Sequence, residues 1–310
     1  LAEKILSSSE EAVTRGFRLP DENRMLPQPG ARMRGLLQAV FVLCAVLAAQ
    51  AGAEVVEIQT AEHLTATADY RQGRPGKPAV LVLHGFLQTR EFGTVKNLAD
   101  MLADAGYSVL APNLSLGISR RRQSLACEAL HLHDMAGDLK EIQQWAEWLR
   151  GRGHRRIVGL GHSFGATQLL AWREQYRRPQ VDIIAVSLVA STPITLDAQP
   201  PRQTGPAPAA KAQAGLSQAP LSFCKSYPAP AARHASYAQW DEARILATLK
   251  KAGGRTDVVL GSEDSYRPAG WESHLSRAGA TVHLIEGANH FMDGTHEFDL
   301  HETVLAVLTR

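Results

Sequence analysis

The chain is sparing in the features that mark several classes of protein. It holds three cysteines in 310 residues, so at most one disulfide can close within it. Its 33 lysines and arginines stand against 31 aspartates and glutamates, a formal charge of +2. The basic residues are dispersed, which excludes the concentrated positive face of a nucleic-acid binder. The one basic cluster, Arg120-Arg121-Arg122, reads as a solvated loop, with a contact to an anionic substrate or lipid headgroup as the alternative. No internal repeat is visible. His131, His133, His154, His274, His283 and His296 share no metal-ligand spacing, so no metal is expected. The apolar run Leu36 to Ala49 is broken by Gln38 and falls short of the ~20 residues a membrane-spanning helix needs.

What is present is a large apolar fraction, 45%, ample for the core of one large α/β domain or two small ones. Residues 1–32 are polar, carry Pro20, Pro27 and Pro29, and read as an unstructured leader. Residues 33–53 follow the pattern of a secretory signal: Arg32-Met33-Arg34, the apolar run, then Gln50-Ala51-Gly52-Ala53 as a small-residue cleavage site before Glu54. Cleavage there predicts an exported chain, periplasmic or secreted; an uncleaved segment would anchor it to a membrane. Leu43 stands directly before Cys44, against a lipoprotein site. The leader exceeds an ordinary signal n-region, so translation is expected to start at Met25 or Met33.

From Glu54 onward strand patterns begin. Val55–Thr60 and His63–Tyr70 alternate as a half-exposed hairpin, and Ala79–Leu83 is a continuous aliphatic run fit for a strand buried on both faces. Strands and helices then alternate. Helices are expected at Thr94–Ala105, His131–Arg150, around Asp241–Lys250, Pro268–Ala278 and His296–Leu308. Strands are expected at Tyr107–Ala111, Ile157–Leu160, Ile183–Ala190, Asp257–Leu260 and Val282–Ile285. In the second helix Leu132, Met135, Leu139, Ile142 and Leu149 share a face. The pattern predicts an α/β fold, a mostly parallel sheet with helices on both faces. Residues 191–239 interrupt it. Eight of the 16 prolines lie between Pro193 and Pro230, and this Pro/Ala-rich stretch reads as an irregular excursion over the strand ends, either a lid or a plain surface loop.

One pentapeptide organises the rest: Gly161-His162-Ser163-Phe164-Gly165, with an apolar run before it and a helical segment after it. Glycines two before and two after a serine permit a turn too tight for side chains. Such a turn lifts the hydroxyl clear of the sheet and sets the Phe164 amide at a helix start, where a free N–H faces a developing oxyanion. A serine hydroxyl is a poor nucleophile at neutral pH, so it needs an imidazole base, and the imidazole needs an acceptor to fix its tautomer. Two late turns offer these groups: Gly261-Ser262-Glu263-Asp264 with Pro268, and Gly287-Ala288-Asn289-His290-Phe291.

With His84-Gly85-Phe86 after the first buried strand, these four motifs resemble the α/β-hydrolase family over about Pro78 to Arg310. The resemblance implies an α/β-hydrolase domain from 54 to 310 with a lid-like insertion at 191–239. It implies Ser163 as nucleophile, His290 as base and then acid, Asp264 as its orienter, and the Phe86 and Phe164 amides as an oxyanion hole. Glu263 adjoins the acid, and Asp257 opens the same strand but at the end away from the site. His84 and His162 read as turn residues. The activity implied is hydrolysis of carboxylic esters, carboxylesterase- or lipase-like, on a small acyl substrate without a cofactor. The same triad would serve a thioesterase or amidase, and a catalytically silent relative would use the pocket for binding alone. After signal removal only Cys127 and Cys224 remain. In an exported chain they either staple the excursion to the sheet or stay as buried thiols.

Overall fold

The computed structural model describes residues 52–193, 215–251 and 253–310. The proposed leader, most of the signal-like segment with both candidate starts, and residues 194–214 of the excursion lie outside the described residues.

Among the described residues ten strands and seven helices follow in the order β1 (Glu54–Gln59), β2 (Thr65–Arg71), β3 (Ala79–Leu83), α1 (Gly93–Asp104), β4 (Ser108–Asn113), α2 (Met135–Gly151), β5 (Ile157–His162), α3 (Phe164–Gln175), β6 (Asp182–Val186), β7 (Leu216–Ser217), β8 (Ala229–Pro230), α4 (Ala231–Ala238), α5 (Glu242–Lys251), β9 (Thr256–Gly261), α6 (Trp271–Arg277), β10 (Thr281–Ile285) and α7 (His296–Leu308). Eight strands form one sheet in the order β1-β2-β4-β3-β5-β6-β9-β10. β1 and β2 pair antiparallel, β2 meets β4 antiparallel, and every other pairing in this sheet is parallel.

The expected aliphatic strand is central. All five residues of β3 are buried, with Leu81 and Leu83 in one apolar cluster and Val80 and Val82 in the other. Alternation along the strand sends successive side chains to opposite faces, so both faces must be roofed. On one side α2, α3 and α5 supply Trp145, Leu169, Trp172 and Ile245. On the other α1 and α7 supply Val95, Leu98, Leu102, Leu300 and Val304. The α/β architecture and the N-terminal hairpin expected from the sequence are present.

Four expectations are corrected. The helix expected from His131 starts at Met135, because the Asp134 carboxylate caps it by accepting the Gly137 N–H at 2.8 Å. Leu132 is consequently outside the helix and 53% exposed, rather than on its buried face. The strand expected to reach Ala190 ends at Val186, since Ser187 turns to φ 50° and leaves the ladder. The helix expected from Pro268 begins at Trp271. The described part of the excursion is irregular only in part: β7 and β8 pair, residues 218–228 between them form no helix or named strand, and α4 follows. Pro230 stands where a missing N–H costs little, as the residue that precedes α4.

Among the described residues no helix is long and apolar enough to cross a membrane.

The first turn of α3 lies against the end of β3, and a Cβ on Gly165 would collide with the carbonyl oxygens of His84 and Leu83. Gly165→Ala is therefore expected to lower stability by about 1–3 kcal/mol. Gly93→Ala, where a Cβ meets open space, is expected to lose nothing. Urea denaturation of both variants checks this, and equal stabilities would remove the close approach.

Candidate active site

The site forms where β3, β5, β9 and β10 end. Ser163 takes up φ 55°, ψ −127° between β5 and α3, a left-handed conformation that costs a non-glycine residue free energy. Neighbours hold it there. Its N–H donates to the Val186 carbonyl at 2.8 Å and its carbonyl accepts the Ala166 N–H at 3.1 Å. A Cβ at Gly161 would meet the Ala166 backbone, so both motif glycines are required by close backbone approach.

The turns after β9 and β10 are laced together. Ser262 N–H donates to the Ile285 carbonyl at 3.0 Å and Glu263 N–H to the Ala288 carbonyl at 2.9 Å. The Ser262 hydroxyl accepts the Gly287 N–H at 2.7 Å. Gly261 passes so close to the Ala288 carbonyl that a Cβ would collide with it, and Gly287 needs φ 74°. These contacts bring Asp264 and His290, 26 positions apart in the chain, to 2.8 Å between Asp264 Oδ2 and His290 Nδ1. The other Asp264 oxygen accepts the Tyr266 N–H at 2.8 Å. With Nδ1–H donated to the carboxylate, Nε2 is free to accept, and it faces Ser163 Oγ at 3.0 Å. Both His290 and Asp264 are buried while Ser163 is half-buried, so of the three residues Ser163 is the one open to solvent.

The alternative acids lie elsewhere. Asp257, at the opposite end of β9, binds His283 Nε2 at 2.9 Å, and the Glu263 side chain is exposed. The Phe86 and Phe164 amides donate to no acceptor among the described residues, so both N–H groups are free. Phe86 and Phe164 pack edge to face at 5.3 Å. Cys127 and Cys224 are joined as a disulfide. Among the described residues no group of three or more His, Cys, Asp or Glu side chains is disposed to hold a metal ion.

Three features escaped the sequence reading. Arg121 is buried, at 3% exposure, which corrects the solvated-loop reading for that residue, while Arg120 and Arg122 are exposed as expected. Arg121 donates from Nε to the Leu114 carbonyl at 2.7 Å and from Nη2 toward His84 Nε2 at 3.1 Å. Burial, then the Arg121 charge, pushes the His84 pKa down to about 3, and the neutral ring accepts the Leu114 N–H at 3.2 Å. His162 is likewise buried with its pKa lowered to about 3 by burial; its Nε2 donates to the His290 carbonyl at 3.1 Å. Beside Phe86, a buried cluster of Asp138, Gln168, His133, Tyr227 and Tyr237 has no counterpart in the motif reading. Only the Asp134 cap could have signalled it, by shifting the start of α2 and hence which side chains face inward.

With the geometry in place, the comparisons give the family. The model of the Alpha/beta hydrolase family matches residues 80–302, and the chain belongs to that family. Among curated proteins no sequence match is found. Solved structures of similar fold include Est1E from Butyrivibrio proteoclasticus, at 15% identity and TM-score 0.58 over 84% of this chain and 100% of that one. The thioesterase domain from the curacin biosynthetic pathway is similar at 17% identity and TM-score 0.54, over 84% and 100%. A bacterial membrane phospholipase A is similar at 16% identity and TM-score 0.54, over 90% and 97%.

The neutral buried histidines make a pH prediction. Between pH 6.5 and about 3 the unfolded chain binds a proton at His162 that the folded chain refuses. Its effect on stability is therefore nil above pH 6.5 and increasingly unfavourable as pH falls. Asp138, raised by burial, acts with the opposite sign and is common to both chains compared. His162→Gln is expected to flatten the pH slope of unfolding free energy by one proton, about 1.4 kcal/mol per pH unit near pH 5. Urea titrations at several pH values measure it, and an unchanged slope would count against a neutral His162.

Proposed function

We propose that the chain is an exported serine hydrolase that cleaves carboxylic esters through an acyl-enzyme. The observation that carries this reading is the unbroken relay from Ser163 Oγ through both nitrogens of His290 to Asp264, at 3.0 and 2.8 Å. A hydrogen bond from the hydroxyl to an unprotonated imidazole, itself oriented by a buried carboxylate, is what nucleophilic attack on a carbonyl requires.

In this reading His290 Nε2 takes the Ser163 proton as Oγ bonds to the ester carbonyl carbon. The carbonyl π electrons move to oxygen, and the oxyanion is received by the free Phe86 and Phe164 amides. The second lies at the start of α3, where the helix dipole adds to the stabilisation. Collapse of the tetrahedral species breaks the carbon–oxygen bond to the alcohol, which leaves with the proton from His290. Water then repeats the sequence, giving up a proton to His290, cleaving the acyl–serine bond and restoring the hydroxyl. Asp264 keeps the imidazole in one tautomer and stabilises its cation throughout. The phospholipase A is named as an ester-cleaving enzyme, which favours oxygen esters as the first substrates to try. Export is supported by the signal-like segment 33–53 and by the Cys127–Cys224 disulfide, which persists in oxidising compartments.

A fluorophosphonate probe tests the nucleophile directly. Wild type from Glu54 onward is expected to label and to hydrolyse aryl esters, and Ser163→Ala to do neither. His290→Ala is expected to lose about 10^5-fold or more in kcat, and Asp264→Asn about 10^4-fold. Folded wild type that neither labels nor turns over any ester would transfer the pocket to a binding role.

A further inference from the structure

The proposed oxyanion hole depends on a turn that is not at rest. Leu87, directly after Phe86, sits at φ 58°, a left-handed conformation that must be imposed from outside. Two backbone bonds help: Gln88 N–H to the Gly85 carbonyl at 3.1 Å and Leu125 N–H to the Leu87 carbonyl at 2.9 Å. The rest of the restraint comes from far along the chain. The Phe86 ring is boxed by Phe223 at 6.1 Å, Tyr227 at 5.6 Å and Tyr237 at 5.7 Å, all from the segment between β7 and α5.

That segment is strapped down at several points. Cys224, next to Phe223, is disulfide-bonded to Cys127, two residues beyond the Leu125 amide that holds Leu87. A closed circuit therefore runs from Phe86 through Leu87, Leu125, Cys127, Cys224 and Phe223 back to Phe86. The Tyr227 ring stacks on His131 at 4.0 Å with the planes 2° apart. The Tyr237 hydroxyl donates to Asp138 Oδ2 at 2.6 Å, an oxygen that also accepts from Gln168 Nε2 at 2.8 Å. Gln168 belongs to α3, the helix that Ser163 begins. Behind Phe86 a cavity of about 10 Å³ is lined by His84, His133, Asp138 and Tyr237 among others. It has room for no more than a water, so the polar cluster is a fastening rather than a ligand site.

We propose that the strap Leu221–Trp240, locked by the Cys127–Cys224 bond and the Tyr237–Asp138–Gln168 hydrogen bonds, is a positioning device that aims the Phe86 amide at the oxyanion. Phe223, Tyr227, Tyr237 and the two cysteines are positioning residues that act through Phe86. The inference rests on the serine-hydrolase reading above, since an oxyanion must form for its receptor to matter.

The test uses the full exported chain in three forms: oxidised wild type, the same protein reduced and thiol-capped, and the Cys127→Ala/Cys224→Ala double variant. All are assayed well below their melting temperatures. Each is measured for kcat and KM on an aryl ester and for inhibition by an arylboronic acid, which forms a tetrahedral adduct on the serine. A displaced hole donor is expected to lower kcat by about 10- to 100-fold, to weaken the boronate by a similar factor, and to leave KM within about threefold. A lowered melting temperature with kcat and boronate affinity within about twofold of wild type would make the disulfide a stabiliser only and overturn the proposal. If the double variant does not fold, Phe223→Ala decides, its ring being 40% exposed and dispensable for the core. A fall in kcat and boronate affinity supports aiming; a raised KM with unchanged kcat makes Phe223 a substrate wall and overturns it. Oxidised wild type without turnover or probe labelling would remove the serine-hydrolase reading and this inference together, whereas active wild type with unaffected variants removes this inference alone.

Discussion

At Ser163 the chain leaves a buried strand and enters a helix within one residue, at a φ of 55° that a side-chain-bearing residue does not choose. The turn survives because its surroundings leave no other course. Gly161 lies on the Ala166 backbone, Gly165 on the end of β3, and the Ser163 amide is paired to β6. Relaxing the turn would push α3 off the sheet and open the core that Leu169, Leu170 and Trp172 fill. Packing of several large side chains, each worth about 1.5–3 kcal/mol when fully buried, is thus set against backbone strain of order 1–3 kcal/mol. The packing wins, and the hydroxyl is held out of the sheet as a consequence.

The same logic accounts for the buried polar groups around it. An unpaired buried charge or donor is costly, and a paired one is retained only where its partners fix something. Arg121 and His84 pin the loops after β4 and β3 to each other through the Leu114 backbone. His162 holds the backbone of His290 through its carbonyl, and the Thr94 hydroxyl does the same one residue later at Phe291, at 2.7 Å. None of these side chains has a part in the proposed proton relay. Each removes a freedom from a loop that does, which is how strand ends separated by many residues keep their spacing to a fraction of an ångström.

Local signals were legible in the sequence to the extent that they are local. The aliphatic run of β3, the glycine spacing around Ser163 and the glycines that precede Asp264 and His290 each reflect a constraint satisfied within a few residues. For that reason the order of strands and helices could be read with their ends uncertain by a turn. Hydrophobic spacing at Leu132 places the start of α2 too early, whereas in the chain the Asp134 cap decides. Arg121 read as solvated because three adjacent arginines look alike, and only the tertiary position of Leu114, Gln123 and His84 separates the buried one from Arg120, which pairs with Glu57 at the surface. Proline content made residues 215–240 look irregular. Three of the aromatic side chains among them, Tyr227, Tyr237 and Trp240, are buried and hold the segment in place.

The two halves of the proposed machinery are restrained by different means, and the sheet topology is the reason. β9 and β10 are neighbours, so the turns that follow them carry Asp264 and His290 side by side and can hydrogen-bond directly, backbone to backbone. The Phe86 turn follows β3, whose neighbours are β4 and β5. The loop after β5 is already committed to the serine, and the loop after β4 runs on through Arg121 to Cys127 before α2 begins. The loop after β4 reaches the turn beside Phe86, through the Leu125 N–H at the Leu87 carbonyl, and leaves the Phe86 ring to be covered by another segment. A segment inserted after β6 crosses to it instead, and because it arrives without ladder hydrogen bonds to the main sheet it needs other fastenings, which here are aromatic packing, a buried hydroxyl–carboxyl bond and a covalent cross-link. Rigidity that strand adjacency gives the Asp264 and His290 turns must be added to the Phe86 turn by side chains, and Phe223, Tyr227 and Tyr237 converge on that single phenylalanine.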